Sequence, residues 1–215
     1  MRPTSAHHDR PADGGHPDLT VSLSRRHDVD VPALAADLGR EARALGREDR
    51  VTVFILTFCR KADLLYGSTL LFKTLRVGFP GAAVVVVDNA SIPEARAEIA
   101  PLARDADCRF LQVEGVPVEH HDFLSDVLEA MAGDDAPRGP VVFLDPDVCL
   151  WSCCEGFAFD GLMAGRFIRP FTMATTGALM LPRLHTSFLW VPDARRLWAR
   201  IAAIKAVHFD FDPFR

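Results

Sequence analysis

Two aspartates, Asp145 and Asp147, follow directly after an apolar run at residues 141–144. A continuous apolar run of this kind is typical of a strand buried on both faces of a parallel sheet, and such strands carry functional groups at their carboxyl ends. Unpaired carboxylates are costly to bury, so the two aspartates are not expected to be core residues. Carboxylate oxygens are preferred ligands of hard divalent cations, which in turn bind phosphate oxygens. The pair therefore predicts a site for Mg²⁺ or Mn²⁺ at the edge of a sheet.

Two further polar clusters follow apolar, strand-like runs earlier in the chain. Their side chains are Thr57 and Arg60 after the first run, and Asp88, Asn89 and Ser91 after the second. Taken alone, the second cluster is equally well explained as a turn followed by a helix cap. Because the carboxyl ends of parallel strands meet at one edge of a sheet, all three clusters are expected to converge on one site.

The elements that must position these clusters alternate between strand-like and helix-like from residue 51 to residue 144. This alternation predicts an α/β fold with right-handed crossovers and a mostly parallel central sheet flanked by helices. The segments expected outside this region are a helix at 31–47, a short helix at 157–165, strands at 178–181 and 187–191, and a helix at 194–204. Residues 1–28 are rich in Pro, Gly, Asp and His and predict a disordered or loosely attached leader, which leaves residues 29–215 as one domain.

The composition restricts the partners and the compartment. A net charge of −5 favours neither nucleic acid nor an anionic membrane as a partner. No apolar run approaches the ~20 residues of a transmembrane helix, and the amino terminus lacks the apolar stretch of a secretion signal, so a cytoplasmic location is predicted. Five cysteines, an odd number, do not suggest a disulfide framework. The close set Cys149, Cys153 and Cys154 is interpreted as free thiols rather than as a zinc site.

The order of the three motifs resembles that of family 2 glycosyltransferases with the GT-A fold. In that family the first strand ends in Thr-x-Asn-Arg, the second ends in Asp-Asn-x-Ser, and a later strand carries Asp-x-Asp. Here the corresponding segments read Thr57-Phe-Cys-Arg60, Asp88-Asn-Ala-Ser91 and Asp145-Pro-Asp147. The segment from His121 to Asp126 is similar to a helix start, His-Gly-x-Ala-Leu-Asn/Asp, found in a bacterial branch of the family. The resemblance covers roughly residues 51–192, and the departures from it are Cys59 for the usual asparagine and Asp122 for the usual glycine.

The resemblance implies a nucleotide-diphosphate sugar as donor and Mn²⁺ or Mg²⁺ as cofactor. By position, Thr57 and Arg60 would line the nucleotide pocket. Asp88 would accept a hydrogen bond from the base, and Asn89 and Ser91 would shape its loop. Asp145 would lie near the ribose and the metal, and Asp147 would bind the metal directly. The metal would neutralise the diphosphate as it leaves.

Three histidines lie near these motifs. His185 stands just before an apolar strand, where it would complete the metal shell or simply be a hydrogen-bonded histidine at a strand start. His121, at a predicted helix start, could approach the diphosphate, because helix amino termini favour anions. His120 could approach the diphosphate in the same way, but plain exposure of its side chain to solvent is an equally good interpretation.

The residue that would deprotonate the acceptor is not identified by the sequence. Inverting members of the family use a carboxylate base on a helix well after the Asp-x-Asp strand, and inversion is the family expectation. The late candidates, all weak, are Asp193, Asp210 and Asp212. The acceptor, whether a glycan, a lipid-linked molecule or a small molecule, is left open.

Two other functions remain open. One is a sugar-nucleotide-binding or interaction protein without catalysis, which the missing base favours. The other is a phosphatase of the haloacid dehalogenase kind with Asp145 as nucleophile, although its motif normally comes first in the domain rather than fourth.

Overall fold

The computed structural model describes residues 27–61, 65–177, 179–180 and 183–207. The helices in this part are α1 (Val31–Ala44), α2 (Leu65–Gly78), α3 (Pro93–Asp105), α4 (His120–Met131) and α5 (Ala194–Lys205). The strands are β1 (Thr52–Thr57), β2 (Ala83–Asp88), β3 (Arg109–Gln112), β4 (Val141–Leu144), β5 (Ala164–Ile168), β6 (Phe171–Thr172), β7 (Leu179–Met180) and β8 (Arg183–Val191). The predicted α/β fold is confirmed.

The central sheet has six strands in the order β3-β2-β1-β4-β8-β5. Strand β1 pairs in parallel with both β2 and β4, and β2 pairs in parallel with β3. Strand β8 is antiparallel to both of its neighbours, β4 and β5. The ends of β1, β2 and β4 therefore lie at one edge, the carboxyl edge, and the beginning of β8 lies there too.

The sheet is covered on both faces. All residues of β1, β2 and β4 are buried, and successive residues point to opposite faces because the side-chain period of a strand is two. Phe54, Val85 and Phe143 pack with α1, α4 and α5 on what we call the α4 face. Val53, Val86 and Val142 pack with α2 and α3 on the α3 face. This double burial explains why these strands read as apolar runs.

The region after β4 differs from the sequence-based prediction. The predicted short helix at 157–165 is wrong: residues 157–163 are irregular and Ala164–Ile168 forms β5. Two glycines, Gly161 and Gly165, weaken a helix here, and the pairing of β5 with β8 supplies a better set of hydrogen bonds. Strand β8 begins at Arg183, four residues before the predicted strand at 187–191.

The first residues that the structure describes are attached to the fold. His27 Nε2 lies 3.1 Å from Asp126 Oδ2 on α4, and the Asp28 carboxylate accepts a hydrogen bond from the Glu114 N–H. Residues 1–26 lie outside the described part, so the leader remains a prediction. All five cysteines are free thiols in this structure. Among the described helices, none combines the length and apolarity needed to cross a membrane.

Candidate functional site

Asp145 lies at the carboxyl edge, between two imidazole rings. Its backbone N–H continues the β4–β8 pairing by donating to the Ser187 carbonyl at 3.1 Å. Its side chain is 21% exposed, with Oδ1 3.8 Å from His120 Nε2 and Oδ2 3.8 Å from His185 Nδ1. The structure thus places His185 beside Asp145, which the predicted metal site requires. It also places His120 beside Asp145.

An irregularity in β8 positions His185. Gly165 of β5 pairs with Leu189, but the next residue, Arg166, pairs with His185, so three residues of β8 have no partner on β5. Within this bulge the Ser187 N–H donates to His185 Nδ1 at 3.0 Å, and the Thr186 side chain hydrogen-bonds the Asp145 carboxylate. Bulges often redirect side chains next to active sites, and His185 lies at the end of this one.

The phase of helix α4 positions His120. His120 is the first residue of α4, which packs on the sheet through Phe123 and Val127. His121, which the sequence favoured, has its ring nitrogens 3.7 Å from Glu119 and 3.3 Å from Asp122 instead. Consecutive helical residues point about 100° apart, so only one of the two histidines can face Asp145. Sequence reasoning left His120 open and preferred His121, because this phase is set by packing.

Burial disfavours charge on both members of this contact. Burial, together with the neighbouring Asp147, raises the pKa of the Asp145 carboxyl, against the lowering influence of His120 and His185. Burial also lowers the pKa of His120, although Asp145 raises it. A half-buried carboxylate with two imidazole rings nearby is an environment in which a cation would be stabilised.

Two distances around Asp145 are compatible with a shared divalent metal. Two ligands of one ion with bonds of ~2.1 Å can be at most ~4.2 Å apart, and both 3.8 Å contacts fall within that limit. Imidazole with carboxylate suits Mn²⁺ better than Mg²⁺. Among the described residues, however, no group of three or more His, Cys, Asp or Glu side chains is arranged so that it could hold a metal ion. His185 Nδ1 already accepts the Ser187 N–H, and the Asp147 side chain is exposed in the turn that follows β4.

The carboxylate of Asp88 is fully buried and fully engaged. Its Oδ1 accepts from the Thr57 hydroxyl at 3.2 Å. Its Oδ2 accepts from the Ser91 N–H at 3.3 Å and from Arg96 Nε at 3.0 Å. The side chain is 0% exposed. Thr57, Ser91 and Arg96 therefore cover the Asp88 oxygens in this structure, and sequence reasoning had not singled out Arg96.

Asn89 and Ser91 hold the loop after β2. The Asn89 side chain donates to the Val118 carbonyl and accepts the Val118 N–H, at 3.0 and 2.8 Å. Ser91 Oγ accepts the Cys59 N–H at 2.9 Å, which ties this loop to the one after β1. The Cys59 side chain lies in the core of the α3 face, where burial raises the pKa of its thiol. Arg60 is exposed, and its guanidinium lies 5.5 Å from the centre of the Phe58 ring.

The late acidic candidates are not brought to this site. Asp193 caps α5 by accepting the Arg196 N–H at 3.0 Å. It follows Val191, which pairs with Val141 at the beginning of β4, so Asp193 lies near the edge opposite Asp145. Asp210 and Asp212 lie outside the described residues.

Comparisons with known proteins return glycosyltransferase structures. No family model matches the sequence, and no curated protein matches it significantly. The fold is similar to that of S. aureus TarS, with 20% identity over 46% of this chain and 16% of TarS and a TM-score of 0.31. It is also similar to the mannosyltransferase PcManGT from Pyrobaculum calidifontis in complex with GDP-Man and Mn²⁺, with 22% identity over 80% of this chain and 54% of that chain and a TM-score of 0.43.

A third match is glucosyl-3-phosphoglycerate synthase of M. tuberculosis, with 20% identity over 53% of this chain and 40% of that chain and a TM-score of 0.30. The chain spans less than two thirds of the length of each of these three structures. All three TM-scores are below 0.5, so the activities of these proteins are not evidence for the activity of this chain.

Proposed function

We propose that this chain is a metal-dependent glycosyltransferase that binds a nucleotide-diphosphate sugar across the carboxyl edge and transfers its sugar to an acceptor. The observation that supports this most strongly is the placement of Asp145 between His120 and His185. The ordered motifs at the ends of β1, β2 and β4 support it independently, because they meet at the same edge.

The distance between the polar side chains at the end of β2 and those at the end of β4 fits an extended nucleotide. Strands β2 and β4 flank β1, which separates their ends by two strand spacings, or about 10 Å. By strand alternation Asp88 and its partners lie toward the α3 face, and Asp145 lies toward the α4 face. A ligand that contacts both must cross the edge, with one recognised group at each end. A nucleoside diphosphate has this form, since its base and its diphosphate are separated by the ribose.

Each end of the site would perform a distinct task. Asp145 and Asp147, with His185, would hold Mn²⁺ or Mg²⁺, and the metal would supply stabilisation of the charge on the leaving diphosphate. The amino terminus of α4, with His120 and His121, would favour the same negative charge.

At the other end, Thr57 and Arg60 would line the nucleotide pocket. Asp88, Asn89 and Ser91 would hold its loop in shape. The proposal includes a cytoplasmic location for the protein and leaves the chemical nature of the acceptor open.

The metal-binding role of Asp147 can be tested by nucleotide-dependent stabilisation. UDP-, GDP- and dTDP-linked sugars are added to the protein with Mn²⁺ or with EDTA. A saturating cognate donor is expected to raise Tm by ~5–10 °C only with the metal. Asp147→Ala should lose this shift, because the carboxylate that completes the metal site is removed. The matched control is Asp134→Ala, an exposed aspartate in the loop before β4 at the opposite edge, which should keep the shift.

Different failures of this experiment lead to different conclusions. A shift that persists in Asp147→Ala and needs no metal would show that the site is assigned wrongly. Metal-dependent binding without release of the nucleotide diphosphate in the presence of any acceptor would favour a binding protein. Release of inorganic phosphate that depends on Asp145 would favour the phosphatase.

A further inference from the structure

The group that the end of β2 offers to a ligand is a guanidinium rather than a carboxylate. Asp88 is 0% exposed, while the Arg96 side chain beside it is 29% exposed. A ligand at this part of the carboxyl edge cannot contact the fully buried Asp88 directly, whereas the Arg96 side chain beside it is partly accessible.

Arg96 is held rigidly on its inner side. Its Nε donates to Asp88 Oδ2 at 3.0 Å, and its Nη2 donates to the Ser91 carbonyl at 3.1 Å. These two bonds fix the plane of the guanidinium, because Nε and Nη2 are both constrained. Among the described residues, Nη1 has no hydrogen-bond partner. Asp88 and Ser91 thus orient Arg96 and leave part of its donor fork for a ligand.

A guanidinium selects a base by the acceptors on its edge. It carries only donors and pairs in a planar, two-bond geometry. Guanine presents two adjacent acceptors, O6 and N7, which match this geometry. Uracil instead places its N3–H donor between two carbonyl oxygens, so it offers no adjacent pair of acceptors. A donor group fixed at the base end of the site therefore favours guanine over uracil.

We infer that Arg96 is the specificity-determining residue of the donor site and that it selects a guanine nucleotide over a uracil nucleotide. This inference rests on the proposed function, because it assumes that the base lies at the end of β2. Asp88 and Ser91 act as positioning residues that hold the guanidinium in the plane of the base.

The test compares the affinities of GDP and UDP by calorimetry in the presence of Mn²⁺. The wild-type protein is expected to bind GDP more tightly than UDP. Arg96→Lys keeps the positive charge beside Asp88 but removes the planar fork, so the GDP-to-UDP affinity ratio should fall by about 5- to 150-fold. The matched control is Arg104→Lys, an exposed arginine on the same helix, which should leave the ratio unchanged. Circular dichroism and Tm establish that each variant is folded.

A modified nucleotide tests the same contact without any mutation. In 7-deaza-GDP the N7 acceptor is replaced by carbon, so the wild-type protein should bind it more weakly than GDP. This measurement remains decisive if Arg96→Lys does not fold.

The possible results separate the inference from the proposed function. The inference is overturned if wild type binds UDP as tightly as GDP, or if 7-deaza-GDP binds as well as GDP. It is also overturned if Arg96→Lys weakens both nucleotides equally, which would indicate a phosphate contact. In each of these cases nucleotide binding, and with it the proposed function, still stands. Absence of binding by any nucleotide would contradict the proposed function itself.

Discussion

Asp145 occupies its position at a cost in folding stability. Its side chain is only 21% exposed, and burial raises its pKa above the ordinary value of 3.8. The groups that face it are His120, His185 and Asp147, and the partial compensation by the two histidines does not reverse the shift. A residue that is unfavourable for the fold and lies at a sheet edge is typical of functional sites.

Asp145→Asn is expected to stabilise the metal-free protein at neutral pH by about 0.5–2 kcal/mol, because asparagine removes the buried charge. Since the pKa of Asp145 is raised on folding, its charge costs stability above that pKa. The cost disappears as the pH falls through the raised pKa toward 3.8, where the carboxyl is neutral. The advantage of the variant should therefore shrink as the pH is lowered.

Urea denaturation in EDTA at a series of pH values from about 7.5 to about 4 measures this difference. Asp134→Asn, an exposed aspartate at the opposite edge, serves as the control and should show little change. A wild-type protein more stable than Asp145→Asn at neutral pH would contradict this view of the site.

At the scale of elements, the first turn of α2 supports the Asp145-Pro146-Asp147 turn. A Cβ atom on Gly67 would lie 2.9 Å from Asp147 Cβ and 3.1 Å from Asp147 Cα. The absence of a side chain at Gly67 thus lets α2 and the turn after β4 approach closely. This contact fixes where the second aspartate stands relative to the sheet edge.

Gly67→Ala should separate stability from binding. Alanine is a better helix former than glycine by about 1 kcal/mol, which offsets the strain of the new contact. The new Cβ would push the Asp147 turn away by a few tenths of an ångström, and we expect metal-dependent nucleotide affinity to fall on the order of 10-fold.

Calorimetric titration measures the nucleotide affinity of the Gly67→Ala variant, and Tm measures its stability. Thr69→Ala is the control: the Thr69 hydroxyl donates to the Leu65 carbonyl of its own helix, and it has no other hydrogen-bond partner among the described residues. Unchanged affinity in a folded Gly67→Ala variant would show that the turn does not depend on this contact.

At the scale of the whole molecule, one sheet joins two hydrophobic cores. The core of the α4 face includes Leu128, and the core of the α3 face includes Ile99, both 0% exposed. Because β1, β2 and β4 contribute alternate residues to both cores, neither face can unfold without exposing the other side of the same strands.

Leu128→Ala and Ile99→Ala are each expected to lower the free energy of unfolding by about 2–5 kcal/mol, through lost burial and a cavity. Each variant should still unfold in a single transition. Urea denaturation followed by both circular dichroism and tryptophan fluorescence measures this, and coincident curves indicate one cooperative unit. Two separate transitions in either variant would mean that the cores are independent.

The sequence by itself determined the fold class and the edge at which chemistry can occur. Apolar runs that end in polar side chains indicate strands buried on both faces, and parallel strands place their ends together. These are local patterns, so the chain order alone places Thr57, Asp88 and Asp145 at one edge. From local patterns the cluster at residues 88–91 could also be a turn followed by a helix cap, because such residues hydrogen-bond nearby backbone.

Only the tertiary structure decided which side chains meet at that edge. The antiparallel pairing and the bulge of β8 bring His185 to Asp145, and the packing of α4 chooses His120 over His121. The first turn of α3 places Arg96 beside Asp88, where the two side chains form an ion pair. These outcomes depend on register, helix phase and contacts between distant elements. Such features come from packing the whole chain, so local residue types and spacing do not specify them.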